Sequence, residues 1–209
     1  MPGNERMPPL IDPAMPLFTP DDLMEGAEPK GHVVVYDDDH YYMASVLAEL
    51  LVKRGNRVTF VTPSVKVSEW SSNTLDQGFI QARLLEAGVT LRLSRGLRAI
   101  AAGGVEIACT YTGKVEELAC DAIVAVTARL PVDGLILELK ERAADWSAAG
   151  IKSVAAIGDA EAPAAIAWAT YAGHRYAEEL DAPRPEGSLP FRRAPVAAVE
   201  KRHLARMGA

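Results

Sequence analysis

Cysteine is scarce in this 209-residue chain: only Cys109 and Cys120 are present. Two thiols cannot ligate a four-iron cluster, which needs four, so the chain by itself holds none. Their plain reading is a pair of reduced, incidental cysteines of the kind cytosolic proteins carry. No apolar run approaches the roughly 20 residues of a membrane span. The opening Met1-Pro-Gly-Asn-Glu-Arg6 has no apolar stretch of the signal-peptide kind. These absences lead us to expect a cytoplasmic protein with no membrane partner. Excess positive charge is also missing. The net charge of −6 argues against non-specific binding to nucleic acid or to anionic lipid. No internal repeat or low-complexity tract interrupts the chain.

What is present fits a folded domain: 49% of residues are apolar and 24% charged. Residues 1–30 are proline-rich and aperiodic, and read as a lead-in or linker. Within them Thr19-Pro20 predicts a short helix, with Thr19 as cap and Pro20 at the first position. His32–Tyr36 is a short β-branched run that reads as a buried strand. Met43, Val46, Leu47, Leu50 and Leu51 follow at helical spacing, Gly55 stops that helix, and Arg57–Thr62 is a second strand. Strand, helix and strand within about 30 residues mark a parallel sheet. The spacing predicts a helix over 74–87 ended by Gly88, and a strand over 89–94. Three β-like stretches at 97–101, 105–111 and 115–119 are separated by Gly103-Gly104 and Thr112-Gly113, as in an antiparallel meander. A buried strand at 121–127, a helix at 133–149, a strand at 154–157 and a helix at 162–180 complete the pattern. The tail from 183 to 209 is basic and proline-rich and reads as an arm.

The fold class expected is therefore α/β: a Rossmann-like parallel sheet with an inserted antiparallel meander. Its natural ligand site is the first strand-to-helix turn, where phosphates meet a helix N-terminus. A dinucleotide site wants Gly-x-Gly-x-x-Gly there. This chain has Asp37-Asp38-Asp39-His40-Tyr41-Tyr42, whose carboxylates repel a pyrophosphate and whose bulk blocks it. The acidic turn reads best as helix capping. A hard-cation site built on the aspartates and His40 is the sharper alternative, though no second cluster completes it. The same triple aspartate also invites comparison with a receiver signalling domain, with Asp121–Thr127 in place of the phosphoacceptor strand. Thr127 stands where that aspartate belongs, however. Near the end, Ala156-Ile157-Gly158-Asp159-Ala160 runs from a strand into a Gly-Asp turn and a helix. It resembles the second flavin-contacting motif of glutathione-reductase-like flavoproteins, an FAD/NAD(P)-binding disulfide-oxidoreductase-like arrangement. In that motif the glycine lets the backbone approach closely and the aspartate accepts a hydrogen bond from the ribityl chain. The alternative is an ordinary strand–helix corner with Asp159 as a cap.

The segment Gly158-Asp-Ala-Glu-Ala-Pro163, with Ile166-Ala167, Ala169-Thr170 and Gly173-His174-Arg175, is very similar to the C-terminal part of the trimethylamine dehydrogenase family. So are Asp39-x-Tyr41-x-Met43-Ala44, Leu47-Ala-Glu49, Gly55-x-x-Val58-Thr59 and Thr19-Pro-Asp-Asp-Leu-Met24. The resemblance covers about residues 17–195. It implies an Old Yellow Enzyme-like iron–sulfur flavoprotein architecture: an FMN barrel, a 4Fe-4S cluster and nested FAD-like and NAD-like domains. Here 31–150 would be the NAD-like domain, and 151–182 the strand and helix that close the FAD-like one. The lost glycine fingerprint implies the amine dehydrogenase branch, in which the FAD-like domain holds ADP, rather than the dienoyl-CoA reductase branch. Gly158, Asp159 and Ala160 would then face ADP or FAD in an incomplete site. FMN and the 4Fe-4S cluster would belong to a companion chain, or to a missing region, that also carries the first half of the FAD-like domain. Electron-transferring flavoprotein is the further partner implied. No catalytic residue and no metal ligand is expected within this chain, and apolar surface is expected where the absent half would pack. A stand-alone FAD- or NAD(P)-binding reductase domain is the alternative.

Overall fold

The computed structural model describes residues 9–180, which fall into two compact units divided between Leu130 and Pro131. The expected arm at 183–209 lies outside the described residues. In chain order the first unit runs β1 (Leu10–Ile11), β2 (Leu17–Phe18), α1 (Pro20–Met24), β3 (His32–Asp37), α2 (Met43–Lys53) and β4 (Arg57–Val61). A 3-10 turn at Glu69–Thr74 precedes α3 (Gln77–Glu86), then β5 (Thr90–Arg92), β6 (Arg95–Ala101), β7 (Gly104–Cys109), β8 (Val115–Ala119) and β9 (Ala122–Val126). The second unit holds α4 (Gly134–Glu141), 3-10 turns at Ala143–Asp145 and Gly158–Ala160, and α5 (Ile166–Glu179).

A fully parallel five-stranded sheet in the order β2-β9-β3-β4-β5 forms the centre of the first unit. A second sheet, β1-β6-β7-β8, lies over one face, with β6, β7 and β8 antiparallel. This is the mixed α/β architecture expected, meander included. Strand pleating assigns the core. Val33 and Val35 of β3 point into a cluster with Leu47 and Leu51 of α2, Phe60 of β4 and Leu84 of α3. Val34 and Tyr36 point the other way, against Ile100, Val105 and Ile107 of the second sheet. Both faces of the central sheet are thus covered, and every residue of β3 is buried. That is why its sequence is a continuous apolar run rather than an alternation.

Helix ends follow the expected chemistry. Thr19 Oγ1 accepts the Asp22 amide at 3.2 Å, and the Asp22 carboxylate accepts the Thr19 amide at 2.7 Å. The two bonds close a capping box with Pro20 at the first helical position. After α2 the Gly55 amide reaches Val52 O and the Asn56 amide reaches Leu51 O, with Gly55 at φ +83°. Gly88 repeats the motif after α3. Both are left-handed caps that satisfy the last carbonyls of their helices.

Other expectations need correction. The lead-in is more than a linker: β1 pairs with β6, and β2 with β9, each through two residues. Two-residue strands carry no periodicity, and Pro9, Pro13 and Pro16 beside them suit sheet edges. The helix expected at 133–149 ends at Glu141, and the Trp146 indole donates to Leu139 O at 2.8 Å beyond it. The last helix begins at Ile166, after Pro163, which disfavours helical backbone at the residue before it. Val154–Ile157 is not a strand: among the described residues no strand pairs with it, although Ile157 keeps an extended backbone. No described residue from 131 to 180 is buried. Ile166, Trp168, Tyr171 and Leu135 are instead among its exposed apolar side chains. Apolar surface is open here, as anticipated.

Candidate functional site

In an open parallel sheet, ligands bind outside the carboxyl ends of the strands where the order reverses. Here β3 is flanked by β4, its successor through α2, and by β9, which arrives from far along the chain. The turn leaving β3 therefore sits at the favoured place. It is built from Asp37, whose side chain is fully buried and whose Oδ1 accepts the His40 amide at 2.8 Å. That bond closes the turn on itself. The capping expectation is corrected by it. The N-cap of α2 is Tyr42 and makes no side-chain cap bond, so the aspartates shape the turn rather than the helix end. Among the described residues, Asp37 Oδ2 has no hydrogen-bond partner. Burial pushes the Asp37 carboxyl up to about 6, against the opposing pull of the His40 amide and ring.

His40 adopts a left-handed backbone, φ +63°, which a non-glycine residue takes only when its surroundings hold it there. Four contacts do so. Its carbonyl accepts the Trp70 amide at 3.0 Å. Ring Nδ1 lies 3.3 Å from Ser64 Oγ and 3.4 Å from Thr62 Oγ1. Ring Nε2 lies 3.5 Å from Asp38 Oδ1. Ser64 Oγ in turn donates to Glu69 Oε2 at 2.7 Å. With its proton committed to Glu69, Ser64 can only accept from Nδ1, while the Thr62 hydroxyl can donate or accept there. The Asp38 carboxylate is the largest influence raising the His40 pKa, with Asp37 and Glu69 adding to it against desolvation. His40, Pro63, Ser64, Val65, Glu69 and Tyr111 line a cavity of about 400 Å³. Three distant segments meet there: the β3–α2 turn, the loop after β4 and the turn between β7 and β8.

This turn does not suit a dinucleotide phosphate: it lacks the glycines and its carboxylates repel one. Among the described residues, no group of three or more histidine, cysteine or acidic side chains is placed to hold a metal. The receiver comparison meets a β-layer on one face of the sheet, where that doubly wound fold carries helices on both faces.

The other sequence-predicted residues, Gly158, Asp159 and Ala160, form a 3-10 turn in the second unit. Gly158 is at φ +59°, and a Cβ placed there would meet the Ala169 methyl of α5 at 3.5 Å. That is an ordinary contact, so it is the turn's backbone, rather than the approach to α5, that glycine serves. The Asp159 side chain is exposed, and the Ala164 amide approaches its Oδ1 at 3.4 Å, a long contact just before α5. The turn offers a carboxylate and a helix start, which suit one edge of a nucleotide. It offers no glycine loop for a pyrophosphate.

Sequence reasoning did not gather Ser64, Glu69 and Tyr111 around His40. They come from separate loops, and no spacing rule links them. The thiols differ sharply. A hydrogen bond from the Thr112 side chain, then the Thr112 and Tyr111 amides, lower Cys109 to about 7, whereas burial pushes Cys120 up to about 11.

Comparison with known proteins adds relatives. Residues 18–116 match the family model of the OYE-like second alpha/beta domain. Dimethylamine dehydrogenase of Hyphomicrobium sp. (strain x) is 32% identical over 205 residues, covering 88% of this chain and 28% of that protein. Histamine dehydrogenase from Rhizobium sp. 4-9, a solved structure, is 54% identical with a TM-score of 0.81, covering 90% of this chain and 30% of that one. This chain is homologous to the C-terminal region of the trimethylamine dehydrogenase family. A further solved relative, the 6-hydroxypseudooxynicotine amine oxidase of Pseudomonas geniculata N1, is 35% identical with a TM-score of 0.69 and covers 78% of this chain and 24% of that one. The chain thus spans less than a third of the length of these trimethylamine dehydrogenase relatives. The family-model match holds the acidic turn and the whole His40 cavity and ends before the Gly158 turn.

Proposed function

We propose that this chain is a Rossmann-like, nucleotide-binding-type module of a flavin-dependent, iron–sulfur amine dehydrogenase-like oxidoreductase. It supports structure or electron transfer in that assembly and does not turn over substrate alone. One observation carries the reading: at 54% identity the chain aligns over 90% of itself with histamine dehydrogenase, yet with only 30% of that protein. The remaining length, by the family's architecture, would hold the FMN barrel, the 4Fe-4S cluster and the first half of the FAD-like domain. A companion chain, or a further region of the same protein, would supply those parts, and electron-transferring flavoprotein would take the electrons, in the cytoplasm. Gly158, Asp159 and Ala160 would meet one edge of ADP or FAD in the completed site. The uncovered apolar side chains of the second unit support a packing partner, because a helix with no buried face gains little from its own propensity. Neither nucleic acid nor membrane is a partner on this reading. Among the described residues no helix is long and apolar enough to cross a membrane.

The test is a tagged pull-down from the source cell under native conditions, with intact mass and a visible spectrum of the eluate. We expect a larger chain carrying flavin and iron. A colourless 209-residue chain eluting alone would remove the redox role. A lone chain with a flavin spectrum would favour the stand-alone reductase domain instead.

A further inference from the structure

We infer that the cavity beside His40 is a binding site for a small organic cation, held by the Glu69 carboxylate and the Tyr111 ring. This goes beyond the redox reading and stands whether or not a companion chain exists. The cavity opens beside the carboxyl ends of β3 and β4, where parallel sheets place their ligands. Among its six lining residues, Glu69 is the sole acid and there is no lysine or arginine. The one basic group, His40, is already matched by Asp38 at 3.5 Å. Glu69 Oε2 is fixed by the Ser64 hydroxyl, and Oε1 accepts no hydrogen bond among the described residues. A preoriented, half-buried carboxylate with one oxygen unused is an acceptor for an ammonium N–H. Pro63, Val65 and Tyr111 supply apolar wall and a ring face, which suit the hydrocarbon part of such a cation. An anion finds no donor cluster here and meets a carboxylate.

The surrounding backbone is held rather than relaxed. His40, Ser68 and Ser94 all take left-handed conformations, at φ +63°, +48° and +53°. Ser68 immediately precedes Glu69. The Ser94 amide donates to Ser64 O at 2.8 Å, and Ser94 O accepts the Thr110 amide next to Tyr111 at 3.0 Å. Three strained residues therefore fix the three segments that converge on one cavity, and strain of this kind gathers where a site must be preorganised.

The experiment is a titration of the full chain, isotope-labelled, with piperidinium chloride, followed by amide chemical shifts. Tetrahydropyran, the neutral ring of the same shape, and inorganic phosphate serve as comparison ligands. We expect saturable shifts at His40, Ser64, Glu69 and Tyr111 with piperidinium and none with either comparison ligand. Glu69→Gln, which can still accept from Ser64, should weaken binding about tenfold or more. Tyr111→Ala, at an exposed position, should weaken it about threefold. No saturable shift with piperidinium, an equal response to tetrahydropyran or phosphate, or affinity unchanged in Glu69→Gln would each overturn the inference.

Discussion

The buried carboxyl of Asp37 makes stability depend on pH in an unusual direction. Its pKa is about 6 in the folded chain against an ordinary 3.8. Between those values the folded form keeps a proton that the unfolded form has lost. Stability therefore falls as pH rises from about 4 to about 6. His40 adds the same sign: its raised pKa stabilises below the ordinary imidazole value and is lost as pH climbs through the folded one. Asp37→Asn keeps the acceptor for the His40 amide and removes the charge. We expect this variant to exceed the natural chain by about 1–3 kcal/mol at pH 8, and to match it near pH 4, in urea denaturation. A difference that does not shrink in acid would contradict the assignment. The thiols offer a second test at this scale. Iodoacetamide should modify Cys109 with a pH midpoint near 7, and leave Cys120 untouched until the chain unfolds. Thr112→Val should move the Cys109 midpoint upward, because it removes the bond that contributes most.

Among the elements, the helix ends carry energies that can be measured one at a time. Thr19→Ala opens the capping box of α1 and should cost about 1 kcal/mol. Gly55→Ala forces a left-handed alanine after α2 and should cost about 1 kcal/mol as well. Thermal unfolding with both variants separately and together checks this. The sites do not touch, so the losses should add. These elements were legible in the sequence because the signals are local: a cap three residues from its partner, a glycine after an apolar helix, a β-branched run. The meander was legible for the same reason, through its turn glycines. β1 and β2 were not, since two residues paired with strands about 90 and 105 residues downstream leave no local trace. Val154–Ile157 misled in the opposite sense. Its composition suits a strand, but a strand exists only beside another. The site divides likewise. The acidic turn and the Gly158 turn could be named from their order along the chain. The convergence of Ser64, Glu69 and Tyr111 on His40 is a product of the tertiary fold.

At the scale of the whole molecule, the two units differ in what holds them. The first has clusters of fully buried side chains on both faces of its sheet, whereas the second has no buried residue from 131 to 180. Hydrogen exchange of the isolated chain should follow that contrast. Amides of β3, β4 and β9 should exchange only on global opening, and those of α4 and α5 far sooner. Equal protection in both units would contradict this contrast. The central strand has one more consequence. β3 finds β4 within about 30 residues, but its other neighbour, β9, begins at Ala122, and the His32 amide bonds Asp121 across 89 residues. At translation speeds of about 5–20 residues per second, that edge of β3 waits about 4–18 seconds for its partner to be synthesised. During that interval the nascent chain displays an unpaired strand edge with three consecutive valines. Its yield in the cell should therefore respond to ribosome speed and chaperone supply more than the stability of the finished sheet would suggest.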